Sequence, residues 1–281
     1  MADTVSILIP VHNAGDWLEP ALESAVNQTW PNREIIAIDD GSTDGSAERL
    51  RAWQSRIRVK CRGNRGGNPT RNELLELATG TWVQFLDADD YLLPEKIQTQ
   101  MALAEAHPGA VMLYSPLVIE YHGPDGPSRE IWNPHRSDGQ HDPWAYHLGW
   151  KLTQTGGALF RREVLQQAGG WDEAQPCCQD NGVFFRMLKT GRPILRSPLA
   201  EAVYRRFEKG SVSTSNKPRL VREIFRLLDE GESWLREHNQ LTPERLQAAN
   251  QMRFNMARKD WRNNRRRSLE IMARIRQSDP R

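Results

Sequence analysis

The stretch WVQFLDADD, residues 82–90, decides the fold prediction because an apolar run ends abruptly at carboxylates. The run is typical of a short buried strand, and Asp87, Asp89 and Asp90 follow it directly. Like charges at one point raise each other's pKa and destabilise a packed core. Such a cluster fits two structures: a turn or helix cap, or a divalent-metal site where an open α/β sheet binds ligands. Both interpretations stay open for the cluster alone.

The composition is that of an ordinary globular protein. Of the 281 residues, 38% are hydrophobic and 26% are charged, which is average usage. No stretch approaches the roughly 20 apolar residues of a membrane span, and the N-terminus lacks the features of a signal peptide. Cys61, Cys177 and Cys178 suit neither a disulfide framework nor a zinc pair. We therefore expect a cytoplasmic protein, either free or peripheral at the inner face of the membrane.

Strand-like and helix-like segments alternate through the first half of the chain. Apolar runs predict strands at 5–10, 34–39, 57–61, 82–86 and 110–114, and 3.6-residue periodicity predicts helices at 17–27, 46–54, 70–78 and 95–106. This alternation indicates βαβ units and a mainly parallel sheet. The polar groups after three of these strands should then gather along one edge of the sheet.

The second half departs from this alternation. Residues 115–152 are rich in Pro, Gly, His and Trp, which predicts an irregular insertion or flap. From Pro218 the pattern is helical only, with Thr242 and Pro243 at the start of a predicted helix. We predict two domains, 1–215 and a helical extension at 216–281.

Several short motifs follow one another along the chain, and their order is more informative than any one of them. They are SILIPVHN (6–13), DDGSTDGS (39–46), TRN (70–72), FLDADD (85–90), GGALFRREVLQQAGGWDE (156–173), QDN (179–181) and YRRFEKGSVS (204–213). Together, over about residues 3–215, the sequence resembles the family-2 glycosyltransferases. The resemblance implies a GT-A, Rossmann-like α/β fold, with a mainly parallel sheet flanked by helices and an α-helical C-terminal extension.

The resemblance also implies a donor site for a nucleoside-diphosphate sugar. In it, Asp40 would accept a hydrogen bond from the base. For the neighbouring Asp39, a structural turn carboxylate is the alternative role. For Asp40 a purely structural turn is the alternative, and for Arg71 an exposed charge at a helix start. The implied donor-binding residues are Pro10, Val11, His12, Asn13, Asp40, Arg71, Asp87 and Ala88.

The same resemblance assigns the acidic cluster to a metal. Asp89 would ligate Mn²⁺ or Mg²⁺ directly, and Asp87 would lie toward the ribose and the metal. Asp90 would accept backbone N–H bonds near the turn at residues 93–94. The ion would bridge the diphosphate and neutralise charge on the leaving group.

An inverting transfer needs a base that takes the proton of the acceptor hydroxyl. The family places this carboxylate in an ED motif, which reads Gln179–Asp180 here. Asp180 is therefore the candidate base, and a helix N-cap is its structural alternative.

Other residues of the motifs are expected on the acceptor side or near the diphosphate. The implied acceptor-side residues are Gly156, Gly157, Trp171 and Asp172. Trp171 fits either sugar stacking or the core. Arg205 and Arg206 point in different directions on a strand, so at most one of them would contact the diphosphate.

Several further signals are weaker. The spacing of the histidines suits no zinc site; they are His122, His135, His141 and His147. The tryptophans of the predicted flap suit either an acceptor grip or a loop anchor; they are Trp132, Trp144 and Trp150.

The C-terminal region is strongly basic. Residues 251–276 carry nine basic and two acidic residues, a local charge of +7, and include the run RNNRRR at 262–267. This region suits anionic lipid, an acidic glycan, a second subunit in a homo-oligomer, or a solvated helix face. We expect no nucleic acid, since no recognisable nucleic-acid module is present.

The predicted activity is inverting, metal-dependent transfer of a hexosyl or N-acetylhexosaminyl group. The donor would be a nucleoside-diphosphate sugar, with a UDP-sugar favoured. The acceptor would be a glycan, a lipid-linked molecule or another hydroxyl in polysaccharide or glycoconjugate synthesis. The alternative is a non-catalytic nucleotide-sugar or glycan-binding module on the same fold, which only Gln179 favours.

Overall fold

The structure, a computed structural model, describes residues 3–123, 126–134, 142–207, 216–262 and 264–278. The chain forms two compact units. The larger consists of Met1–Pro134, Thr153–Gln175 and Arg186–Lys209, and the smaller of His135–Leu152, Pro176–Phe185 and Gly210–Arg281. The sequence-based boundary between residues 215 and 216 stays a prediction.

The strands of the larger unit form two sheets. The strands are β1 Val5–Val11, β2 Arg33–Asp40, β3 Arg58–Arg62, β4 Trp82–Phe85, β5 Tyr91–Leu92, β6 Met112–Tyr114, β7 Leu117–Gly123, β8 Gly126–Trp132, β9 Ala158–Arg161, β10 Ile194–Arg196 and β11 Ala202–Phe207. The main sheet has seven strands in the order β10-β6-β9-β4-β1-β2-β3. Only β9 runs antiparallel to its neighbours β4 and β6, so the prediction of a mainly parallel sheet is confirmed.

The described residues also form α-helices along the chain. They are α1 Leu18–Val26, α2 Ser46–Arg51, α3 Gly67–Leu77, α4 Lys96–Ala106, α5 Pro143–Leu148, α6 Arg162–Gln167, α7 Gln179–Lys189, α8 Lys217–Glu237, α9 Pro243–Asp260 and α10 Arg265–Ser278. In the first half of the chain no predicted strand or helix end is off by more than three residues.

The central strand β1 shows why the sequence folds this way. Six of its seven residues are buried, as expected for a parallel strand covered on both faces. Helix α1 presents one apolar stripe at helical spacing, formed by Leu18, Ala21, Leu22 and Ala25. These four residues join the same buried core as Ile7 and Ile9 of β1.

The predicted flap at 115–152 is wrong over much of its length. Strands β7 and β8 form a hairpin there, and the second sheet has the order β5-β11-β7-β8. Leu117 and Ile119 are buried, whereas Gly126 adopts a φ of 96° that favours glycine. Glycine and proline are therefore compatible with regular structure here, since Pro127 lies within β8 and Pro143 begins a helix. Residues 124–125 and 135–141 lie outside the described part of the chain.

The smaller unit is helical within its described residues. Thr242 caps α9, accepting the N–H of Arg245 at 3.3 Å, and Pro243 occupies the first helical position, so both predictions are confirmed. Buried Arg253 donates to Asp229 at 2.8 Å and pairs with Glu232 at 2.6 Å, linking α9 to α8. In the described ranges, each helix is too short or too polar to cross a lipid bilayer.

We expect Gly157→Ala to destabilise the protein. A Cβ atom at residue 157 would collide with Thr153 Oγ1 and would lie 2.9 Å from Leu117 Cδ2. Overpacking a core costs about 1–3 kcal/mol of the free energy of unfolding, which urea denaturation measures. Gly109→Ala is the control, because its added Cβ would meet no atom within 4 Å. Equal effects of the two substitutions would contradict this packing argument.

Candidate active site

The ends of β1 and β2 are joined by hydrogen bonds between the polar turns that follow them. Asn13 Oδ1 accepts the N–H of Thr43 at 2.8 Å, and the Asn13 N–H donates to Ser42 Oγ at 2.9 Å. Asn13 has a φ of 50°, a conformation that asparagine tolerates better than most residues. Pro10 and Val11 precede this turn and pair with Ile38 and Asp39 of β2.

Asp40 is buried and its carboxylate is held by the protein. It accepts hydrogen bonds from the guanidinium of Arg62 and from the N–H groups of Arg65 and Gly66, the latter two at 2.8 Å each. Its carbonyl oxygen contacts Nδ1 of His12 at 2.9 Å. Asp40 therefore orders the segment that leads into α3, and its contact with a base stays a prediction.

Asp39 has one satisfied and one unsatisfied carboxylate oxygen. Oδ2 accepts the N–H groups of Gly41 and Ser42 at 3.2 Å each, which are the contacts of a turn carboxylate. Oδ1 is buried and has no hydrogen-bond donor among the described residues. A buried acceptor without a donor costs free energy, so a ligand N–H at this position would be stabilising.

The acidic loop after β4 separates its three carboxylates. Asp87 Oδ1 accepts from Arg71 Nη2 at 2.7 Å, and Ala88 is buried. Asp89 is exposed. Asp90 is buried and accepts a backbone N–H, as predicted, but the donor is Arg205 at 2.8 Å and not the turn at 93–94.

The negative charges of this loop repel one another. The surrounding protein removes part of the water around the Asp89 carboxylate. This desolvation, and then the charge of Asp87, raises the pKa of Asp89 to about 6. Burial raises the pKa of Asp90 well above its ordinary value, and the charges of Asp89 and Asp87 raise it further. A cation at this loop would relieve the repulsion.

The donor set fits a hard cation shared with a phosphate. Mg²⁺ usually binds proteins through one or two carboxylates plus substrate phosphates, and Asp89 with Asp87 supplies such oxygens. Over the described ranges, no group of three or more His, Cys, Asp or Glu side chains is placed to hold an ion.

Trp171 packs against Arg71, one of the predicted donor-binding residues. Its ring is only 2% exposed, and the guanidinium of Arg71 lies 4.8 Å from the ring centroid. Phe85 of β4 packs edge-on against it at 5.1 Å. Asn72 accepts the N–H of Trp171 and donates to its carbonyl, both at 2.8 Å. This burial favours the core interpretation of Trp171 over sugar stacking, since the ring has no open face.

The other residues predicted on the acceptor side are held by backbone and ion-pair contacts. Gly156 and Gly157 are buried, and the Gly156 carbonyl accepts from Gln84 Nε2 at 3.0 Å. Asp172 pairs with Arg186 at 3.2 Å. Their contact with an acceptor stays a prediction.

Arg205 and Arg206 differ in exposure. Arg205 is buried, and its Nη1 donates to the Asp89 carbonyl at 3.1 Å. Its guanidinium also lies 4.5 Å from the ring centroid of Tyr91. Arg206 is exposed. The guanidinium of Arg205 is thus engaged by the acidic loop, and diphosphate contact by either arginine stays a prediction.

Glu120 of β7 forms the centre of a network that the sequence did not predict. Its carboxylate accepts hydrogen bonds from Arg205 at 3.1 Å, Arg129 at 2.7 Å and Tyr91 at 3.0 Å, and contacts His122 at 2.8 Å. Burial opposes ionisation, but these hydrogen bonds lower the pKa of Glu120 to about 2. The network ties the second sheet to the acidic loop through Arg205.

The histidines have separate environments. His122 contacts Glu120, as above, and His147 is buried in the smaller unit against Phe185, with ring centroids 6.0 Å apart. His135 and His141 lie outside the described residues.

Asp180 belongs to the smaller unit and lies in the first turn of α7, which begins at Gln179. Its Oδ1 accepts from the N–H and Nδ2 of Asn181 at 2.8 Å and 3.2 Å. These contacts orient the carboxylate at a helix N-terminus, where negative charge is stabilised. The base role of Asp180 stays a prediction.

The chain is similar in sequence to known proteins of one family. The model of the family "Glycosyl transferase family 2" matches residues 6–169. The uncharacterized glycosyltransferase YibD of Escherichia coli K12 is 41% identical over 103 residues, which cover 36% of this chain. The matched region spans only 30% of the length of YibD.

Solved structures share the fold. Staphylococcus aureus TarS 1–349 matches with a TM-score of 0.66 at 17% identity, covering 93% of this chain and 74% of that one; it has also been solved with UDP-GlcNAc. The mannosyltransferase PcManGT of Pyrobaculum calidifontis, in complex with GDP-Man and Mn²⁺, matches with a TM-score of 0.60 at 16% identity, covering 97% and 79%. At these identities the likeness concerns the fold alone.

We expect the stabilising effect of Glu120 to depend on pH. Its folded-state pKa of about 2 lies below the ordinary 4.5, so the carboxylate stabilises the fold above pH 4.5 and loses this effect as pH falls toward 2. Glu120→Gln should therefore lower the free energy of unfolding most at pH 7 and progressively less below pH 4.5. Urea denaturation at pH 7 and at acid pH measures the difference.

The exposed Glu105 of α4 provides the matched control, and Glu105→Gln should have little effect at either pH. A Glu120→Gln difference that did not change with pH would contradict the assignment of this network.

Proposed function

The chain belongs to glycosyl transferase family 2, and we propose that it transfers a hexosyl or N-acetylhexosaminyl group from a nucleoside-diphosphate sugar, preferably a UDP-sugar. The acceptor is a hydroxyl of a glycan, a lipid-linked molecule or another compound in polysaccharide or glycoconjugate synthesis. One observation carries the proposal. The loop after β4 presents exposed Asp89 beside Asp87, which Arg71 orients, next to strands whose ends carry the buried carboxylates Asp39 and Asp40.

The nucleoside is proposed to bind at the turns that follow β1 and β2. Asp39 Oδ1 is a buried acceptor without a donor in the described chain, and the N–H of a base would satisfy it. Asp40, the residue predicted for this contact, also holds the adjoining segment through Arg65 and Gly66. We therefore assign the base contact to the Asp39–Asp40 pair.

The diphosphate is proposed to bind at the acidic loop. Asp89 and Asp87 would hold Mn²⁺ or Mg²⁺ together with diphosphate oxygens. Such an ion supplies charge neutralisation for the leaving nucleoside diphosphate. Arg71 orients Asp87 through its 2.7 Å hydrogen bond, which would preorganise this carboxylate for the cation.

Asp180 is the proposed general base. It would take the proton of the acceptor hydroxyl while that oxygen forms a bond to the anomeric carbon. The bond from this carbon to the diphosphate oxygen breaks on the opposite face, which inverts the configuration. Gln179 cannot replace this function, because an amide does not accept a proton near neutral pH.

We expect Asp89→Asn to reduce sugar transfer about 100-fold or more, because it removes the anionic oxygen proposed for the cation. Release of nucleoside diphosphate from a panel of UDP-, GDP- and dTDP-sugars with Mn²⁺ measures the activity. Thermal unfolding with each donor shows which one binds, since ligands stabilise the folded state. Glu163→Gln, at an exposed position of α6, is the control. Full activity of Asp89→Asn would overturn the metal assignment.

We expect Asp180→Asn to reduce transfer by about 10²–10⁴-fold while donor binding persists, because general-base catalysis contributes about this much. Donor binding is read from the thermal shift and turnover from product formation. Gln179→Glu, which restores the glutamate of the family motif, should keep transfer measurable. If Asp180→Asn turned over normally, its carboxylate would only orient α7. A wild-type chain that bound donors but transferred no sugar would instead indicate a non-catalytic binding module.

A further inference from the structure

Helices α9 and α10 pack against each other and leave one face of each open. Ser268 Oγ of α10 donates to the Ala257 carbonyl of α9 at 2.9 Å, and Asn250 Nδ2 donates to Ser278 Oγ at 3.0 Å. Helical spacing places residues 254 and 258 on one face of α9, and residues 265, 269, 272 and 276 on one face of α10. Arg262 follows two residues after the end of α9. A shallow pocket of about 420 Å³ joins the two faces. It is lined by Arg258, Lys259, Trp261, Arg262 and Met272. The two faces and this pocket are called the basic surface below.

The cations of the basic surface are not engaged in ion pairs with described acids of the chain. Elsewhere in these helices, Arg253 and Arg274 pair with acids of α8, and Arg266 pairs with Glu270 at 3.0 Å. By contrast, five cations have no acidic partner among the described residues. These are Arg258, Lys259, Arg262, Arg265 and Arg276. Their charge is therefore available to a partner.

The basic surface also exposes large apolar side chains. Four such side chains are strongly exposed in the described chain, and two of them, Phe254 and Leu269, lie here at 42% and 51% exposure. Trp261 is half-buried, and the guanidinium of Arg265 lies 5.2 Å from its ring centroid. A helical surface that combines Lys and Arg with exposed Trp, Phe and Leu side chains has the composition of elements that lie in a membrane interface.

Two other partners fit the basic surface less well. A symmetric contact with a second copy would place the same unpaired cations against one another, and like charges in contact are destabilising. A soluble polyanion would satisfy the arginines but offers no hydrocarbon for Leu269. An anionic bilayer supplies both phosphates and an apolar region.

We propose that the basic surface docks the protein onto an anionic membrane. Lipid phosphates contact Arg258, Arg262 and Arg265, and Leu269 enters the boundary between headgroups and acyl chains. This inference rests on the geometry of α9 and α10 and not on the proposed reaction. A failure of the membrane proposal and a failure of the proposed sugar transfer are therefore distinguishable.

Sedimentation of the full chain with vesicles tests the proposal. Binding is expected to vesicles of phosphatidylcholine mixed with phosphatidylglycerol and not to phosphatidylcholine alone, and salt should weaken it. Each cation near an anionic surface strengthens partition about fivefold. The triple variant Arg258→Gln, Arg262→Gln, Arg265→Gln should therefore bind about 100-fold more weakly.

A matched triple variant controls for net charge. Arg56, Arg192 and Arg222 are exposed outside α9 and α10, and changing all three to Gln should leave vesicle binding unchanged. Leu269→Ser should weaken binding severalfold, and this loss should persist at high salt because it is apolar. Thermal unfolding of each variant confirms that it is folded.

Four outcomes would overturn the proposal. One is absence of binding to the anionic vesicles, and another is an equal loss in the two triple variants. The third is a dimer that forms without vesicles in sedimentation equilibrium and is abolished in the Arg258, Arg262, Arg265 variant. This result would assign the surface to a second copy. Soluble polyphosphate that displaced the vesicles while Leu269→Ser had no effect would also contradict docking and indicate a soluble acidic partner.

Discussion

The electrostatic repulsion within the loop at residues 87–90 is the constraint on which the larger unit depends. Three carboxylates follow one short strand. Burial raises the pKa values of Asp89 and Asp90, and the charges of the neighbouring carboxylates raise them further. The chain reduces this cost with two arginines from distant segments. Arg71 binds the Asp87 side chain, and Arg205 binds the backbone of Asp89 and the side chain of Asp90. What remains uncompensated is the exposed carboxylate of Asp89, which is where a cation and a diphosphate would add binding energy. Neighbouring elements hold the two arginines in turn, since Arg71 lies over the ring of Trp171 and Arg205 donates to Glu120.

Local sequence patterns were sufficient to predict the main sheet. Continuous apolar runs mark strands buried on both faces, and the stripe on α1 repeats at helical spacing. The motifs then predicted the family, because they occur in order across most of the larger unit. The second sheet was missed because β7 pairs with β11, some 85 residues further along the chain at Glu120 and Arg205. The glycines and prolines near residue 126 mark the turn of a hairpin, but they resemble those of an irregular loop.

Residue types alone did not predict the roles that depend on the contacts of a side chain in the folded structure. A tryptophan after two glycines suits a sugar platform and a core equally well, and only the packing of Trp171 against Phe85 favours the core. The same holds for Asp39 and Asp40, which are adjacent and identical in chemistry. Asp40 is satisfied by Arg62 and two backbone N–H groups, whereas Asp39 keeps one buried oxygen without a donor in the described chain. Strand alternation turns neighbouring side chains to opposite faces, so the pair divides into two environments that a linear motif cannot show.

The arginines illustrate how one residue type serves two purposes within this chain. Arg62, Arg71, Arg205 and Arg253 are largely buried, and each donates to an aspartate or glutamate side chain. A planar guanidinium suits such sites because it can donate several bonds and stack on an aromatic ring simultaneously, as Arg71 does on Trp171. The arginines of the basic surface lack acidic partners among the described residues and lie beside exposed apolar side chains. A net charge of +2 for the whole chain conceals this division, because the surplus of residues 251–276 is offset by acids elsewhere. Charge available for a partner is therefore read from the ion pairs of each arginine and not from the sum of charges.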